Sequence, residues 1–157
     1  MKVLIGVATL VVFLLLTVAM LKRKSPMGRW PYYPKKIMTK PEQVLFYRLL
    51  KALPDCIVLS QVQLSRVLGV EKGNNFQQWN NRINRMSLDF VVCAKDASVL
   101  AVIELDDSSH GRRDRQKADN KKNKALQDAD VRLIRWKVES MPDEVAIRNE
   151  VLIGGSE

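Results

Sequence analysis

Val3 to Leu21 carries neither charge nor proline. As a helix these 19 residues span about 28 Å, close to the hydrocarbon thickness of a bilayer, and they end on Lys22-Arg23-Lys24, not on a small-residue cleavage site. The pattern predicts one N-terminal transmembrane helix within residues 1–21. Residues 22–38 then carry Pro26, Pro31 and Pro34 among Trp30, Tyr32, Tyr33 and several lysines and arginines. Proline stops a helix and favours an extended spacer, so this stretch reads as a basic juxtamembrane linker.

From residue 39 onward the pattern changes to that of a folded body. Thr39 and Glu42 have the spacing of a capping box, and Phe46, Leu49, Leu50 and Leu53 follow at i, i+3, i+4 and i+7. These predict a helix that stops at Pro54. Residues 56–68 begin as a strand with alternation through Val58, Ser60 and Val62, whereas 71–86 is Asn-rich and reads as a loop with a short helix. "LDFVVCA" (88–94) and "VLAVIELD" (99–106) are strands by their β-branched content, joined by the four residues Lys95–Ser98 as a hairpin. A polar helix over 114–128, a strand over 131–138 and a last helix over 142–153 complete the order. The body is therefore an α/β domain over residues 39–157.

Charge changes the picture only locally. The formal net charge is +9, but seven basic residues fall between Lys22 and Lys40, and the 18 basic residues from position 41 on face 17 acidic ones. The basic block after the apolar run predicts, by the positive-inside rule, a single-pass membrane protein with its C-terminal domain in the cytoplasm. Cys56 and Cys93 read as reduced core thiols.

The chemistry concentrates in the hairpin and beyond it. If Ala94 faces Val99, Asp89 stands opposite Glu104 in strands that are otherwise apolar. Like charges there repel and lose their hydration. A divalent cation, a shared proton or a basic neighbour would offset that. Asp106 lies on the Glu104 side by two-residue alternation. His110 follows a serine pair, and a basic run (Arg112, Arg113, Arg115, Lys117, Lys121, Lys122, Lys124) leads through the next helix. That run is either a solvated face or a surface for a phosphate backbone. Trp79, with Arg82 and Arg85, either stacks on a base or packs through the spacing of Trp79, Ile83 and Met86.

"IELDDSSH" (103–110), followed by Asp114-Arg115-Gln116 and Ala118-Asp119, resembles the bacterial family of unknown function DUF2726 across roughly residues 40–140. That family looks like a branch of the PD-(D/E)XK restriction-endonuclease-like superfamily, similar to very-short-patch-repair-type endonucleases. The resemblance implies a three-layer α/β/α fold with a mixed central sheet. It implies metal ligation by Asp89 and Glu104 and, the family being bacterial, a span in the inner membrane; Asp106, on the Glu104 side by alternation, would be a third ligand, and Mg²⁺ or Mn²⁺ suits such oxygen donors. Glu42 matches the superfamily's glutamate on the first helix; by their own chemistry His110 and Lys117 would join it in catalysis and Arg112, Arg113, Arg115, Lys121 and Lys124 would hold nucleic acid, with no small-molecule cofactor. Asp106 stands where the superfamily usually has a lysine, and Ala118 where the family has a basic residue. Two functions follow: a membrane-anchored, metal-dependent nuclease, or a catalytically silent domain of the same fold that binds nucleic acid or a protein at the membrane.

Overall fold

The computed structural model describes Gly6 and residues 11–18, 30–106 and 113–154, the side chains of 113–116 and 153 excepted. The chain divides into two units, Met1–Lys35 and Lys36–Glu157. In the first, Gly6 and residues 11–18 are helical, and the rest of the expected 3–21 span lies outside the described residues. Among the described residues no helix is long and apolar enough to cross a membrane. The expected transmembrane helix is corrected on that finding. With it go the membrane as partner and the inner-membrane localisation.

The second unit is built on a four-stranded mixed sheet in the order β1-β2-β3-β4: β1 (Ile57–Gln63), β2 (Ser87–Cys93), β3 (Val99–Asp106) and β4 (Leu133–Lys137). β1–β2 and β2–β3 are antiparallel and β3–β4 is parallel. Helices α1 (Lys40–Ala52), α2 (Leu64–Val67), α3 (Phe76–Ile83), α4 (Arg113–Asp128) and α5 (Glu144–Arg148) surround it. α5 runs on into a wider π turn, Asn149–Ile153, so the expected final helix is divided in two.

Strand alternation feeds two cores. On one face Phe90, Val92, Ala101 and Ile103 meet Leu45 and Leu49 of α1 and Ile147 of α5. On the other, Val91, Cys93 and Val102 meet Leu64 of α2 and Leu126 of α4. The capping box at Thr39 and Glu42 is present with both hydrogen bonds. The expected stripe holds at Leu49, at Leu53 just past the end of α1 and, partly buried, at Phe46, and fails only at Leu50. Leu45, Leu49 and Ala52 are the buried positions of α1 itself, while Leu50 is 42% exposed.

α4 is a different kind of helix. Leu126 is its one fully buried residue among those described, and Asp119, Lys122 and Asn123 occupy the half-buried positions one and two turns earlier. Polar contacts, not an apolar stripe, therefore seat most of this helix on the sheet.

The outward turn of Leu50 gives a direct check. Leu49→Ala will destabilise the domain by about 2–5 kcal/mol, as cavity-forming core truncations do. Leu50→Ala will cost about 1 kcal/mol or less. Urea denaturation of both variants tests this; equal losses would contradict the stripe.

Candidate functional site: a buried charge pair where the sheet forks

The hairpin register predicted for β2 and β3 holds at Phe90↔Ile103, Val91↔Val102 and Val92↔Ala101, then shifts by one residue at Cys93↔Val99 through an irregularity. At the other end the pairing of these two strands stops at Phe90↔Ile103. β2 stays paired with β1 as far as Gln63↔Ser87, and β3 with β4 as far as Asp106↔Lys137. The sheet thus forks between β2 and β3, and Asp89 and Glu104 are the next residues on its two arms.

Each carboxylate has a protein partner in the fork. Asp89 is half-buried, and its Oδ2 accepts the Leu105 N–H at 2.9 Å, taking the place of a strand carbonyl. Glu104 is 6% exposed. Lys122, from α4, donates to Glu104 Oε2 at 2.7 Å, and the same ammonium donates to the Ser87 carbonyl at 3.3 Å. One side chain therefore ties the two diverging arms and anchors α4 over them. Of the three remedies open for a buried acid, the molecule uses the basic neighbour. Glu104 Oε1 is buried without a hydrogen-bond partner among the described residues.

Burial dominates the titration of both acids. It pushes the Asp89 carboxyl up from its ordinary value, against the Leu105 N–H; the charge of Glu42 adds to the rise, Lys122 opposes it and Asp106 adds a last increment. Burial likewise raises Glu104, the Lys122 hydrogen bond and charge pull it back, and the Asp89 charge pushes it further up. Glu42 reaches this neighbourhood from α1, where it closes the capping box and accepts from Gln61 Nε2 at 3.2 Å. Gln61 itself sits at φ 54°, a kink in β1 that turns its amide toward Glu42.

The remaining expected residues are distributed elsewhere. Asp106 is exposed and held by Arg135 Nη1 at 3.0 and 3.2 Å, and Arg135 Nη2 also donates to Asn123 Oδ1 at 2.7 Å. Arg135 thus occupies the carboxylate expected as a third metal ligand. His110 and Arg112 lie outside the described residues, and Arg113 and Arg115 are placed on α4 by backbone alone. Lys117, Lys121 and Lys124 are exposed on α4, Lys124 paired with Asp128 at 2.9 Å.

Among the described residues no group of three or more His, Cys, Asp or Glu side chains could hold a metal ion. The expected membrane-anchored, metal-dependent nuclease is corrected on that finding and on the lack of a described membrane-spanning helix. Lys122 is the residue that the sequence did not single out. Its place one turn before Leu126 is the available signal, but it is lost in a run of surface lysines.

Two predictions follow from this geometry. Lys122→Met will destabilise the domain by about 3–5 kcal/mol, because it leaves Glu104 buried and uncompensated, and adding Glu104→Gln will recover much of the loss. Denaturant unfolding of the single and double variants checks it; additive losses would contradict a coupled pair. The second concerns pH. A carboxyl raised in the folded state makes the fold most stable below the ordinary carboxylate pKa, and that stability is lost as pH rises through the raised value. Asp89→Asn keeps an acceptor for the Leu105 N–H and removes the charge. Its melting temperature relative to wild type will therefore climb as the pH rises above the ordinary carboxylate value of about 4. A difference independent of pH would refute the assignment.

No curated protein and no solved structure gives a significant match to the chain. The family model described as protein of unknown function (DUF2726) matches residues 34–153, which take in every strand and helix that builds the fork, and the chain belongs to that family.

Proposed function

We propose that the domain is a divalent-cation-binding member of the PD-(D/E)XK restriction-endonuclease-like superfamily, with Asp89 and the free oxygen of Glu104 as protein ligands and Mg²⁺ as the ion. Binding is the whole of the reading. With Asp106 held by Arg135, two carboxylates and water supply the coordination, in keeping with the preference of Mg²⁺ for few protein oxygens and several waters. The superfamily link is supported by an acid on each of the two forking strands and by a mixed sheet covered by helices on both faces.

The observation that carries the reading is Glu104 Oε1. A buried carboxylate oxygen without a partner is costly, and it lies on the residue whose other oxygen already holds Lys122. An ion at the fork would satisfy that oxygen and screen the Asp89–Glu104 repulsion. It would also compete with the Lys122 ammonium for the same carboxylate, so ion affinity is set by how firmly Lys122 holds. The exposed Lys117, Lys121 and Lys124 belong to the same reading as groups offered to phosphate.

Calorimetric titration of the full chain with Mg²⁺ and Mn²⁺ will show one saturable site, lost in Asp89→Asn and in Glu104→Gln. The ion will also raise the melting temperature more in Lys122→Met than in wild type, since it then replaces the missing positive charge. Absence of a saturable heat in wild type, or equal binding in the carboxylate variants, would overturn the proposal.

A further inference from the structure

A groove of about 640 Å³ lies away from the fork, between α3, α4 and the segment that follows α2. Its volume falls within the range of small-molecule sites, roughly 300–1,000 Å³. Asn75 caps α3 by accepting the Gln78 N–H at 3.0 Å. That helix presents Trp79, Arg82 and Ile83 to the groove. The opposite wall is one face of α4, with Lys121, Lys124 and Ala125 at i, i+3 and i+4, and Leu68 and Val70 form an apolar floor.

The wall chemistry is specific. Arg82 lies over the Trp79 ring, its guanidinium carbon 4.0 Å from the centroid. Even so, Trp79 remains 44% exposed. Of the two alternatives open for this tryptophan, the packing role goes to Ile83 and Met86, which join the core, and the indole is left as a platform. Three cations (Arg82, Lys121, Lys124) and two carboxylates (Glu71, Asp128) line the rim. Asp128 is occupied by Lys124 at 2.9 Å. Among the described residues no ion pair engages Lys121, which lines the same groove as the Arg82–Trp79 stack. A flat aromatic platform, an apolar floor and an uncommitted ammonium complement a ligand that is planar and aromatic at one end and anionic at the other.

We propose that this groove binds a free mononucleotide, with the base stacked on Trp79 above the Leu68–Val70 floor and the phosphate on Lys121. Cations beside an aromatic face favour such stacking, and the groove has room for one base and its phosphate. This inference shares Lys121 and Lys124 with the phosphate reading above and is independent of the ion site, because no groove residue belongs to the fork.

The test is titration of the full chain with AMP, adenosine and inorganic phosphate, followed by Trp fluorescence and calorimetry, with a short oligothymidylate as a further probe. AMP will bind saturably and quench fluorescence. Trp79→Ala will weaken AMP about tenfold or more, within what base–aromatic stacking contributes. Lys121→Ala will weaken AMP but leave adenosine unchanged, a split that a merely structural role of Lys121 would not produce. Phosphate binding as tight as AMP would overturn the nucleotide site while leaving the phosphate reading intact. Binding of the oligonucleotide without AMP, or no saturable binding of any probe, would also overturn it. Because Trp79 and Lys121 are exposed, both variants will unfold like wild type, and a lost signal is then a lost contact.

Discussion

The pairing of Glu104 with Lys122 is the constraint around which this domain is arranged. An acid in the middle of an apolar strand is tolerated only when something answers its charge, and here the answer comes from a helix that has little else to bury. The same ammonium reaches the Ser87 carbonyl on the neighbouring strand. A single cation therefore closes the sheet where its backbone pairing ends and decides where α4 sits. A buried pair of this kind adds little net stability compared with an apolar substitute, so its value lies in position and in what can displace it.

The fork and the groove are two consequences of that placement. Lys122 and Asn123 of α4 face the sheet, toward Glu104 and Arg135 respectively. The face carrying Lys121, Lys124 and Ala125 turns toward α3 and Trp79. Polar anchoring makes this possible, because a helix held by one leucine and a few charged contacts leaves its flank free to form a wall. At the fork, Asp89 gives its carboxylate to a backbone N–H that pairing would have satisfied, which ties a strand defect to a titratable group. The two regions thus depend on one helix through different residues.

Much of the frame was legible in the residues. The capping box fixed the start of α1, β-branched runs marked the strands, and the hairpin loop gave a register that holds from Phe90 to Val92. That register is what made Asp89 and Glu104 a pair worth naming. The rest was hidden for physical reasons. α4 has no apolar period, so the sequence could not show that Lys122 faces inward and Lys121 outward. Arg135 lies on β4, 29 residues from the Asp106 it holds, and parallel pairing through a crossover leaves no local trace. The apolar run near the N-terminus promised a membrane span by composition, and no described helix is long and apolar enough for one. Leu50 was assigned to the buried stripe because i+3 and i+4 positions are both acceptable by spacing, and only packing keeps Leu49 and Leu53 inside and turns Leu50 out.

Amide hydrogen exchange, compared between wild type and Lys122→Met, reaches the central point most directly. If one ammonium seats α4, the variant will lose protection first and most across residues 118–126, while amides of β1 and β2 between Val58 and Val92 keep theirs until global unfolding. Unchanged protection of α4, or an equal loss spread over the whole sheet, would show that the helix is held by something other than the Glu104–Lys122 pair.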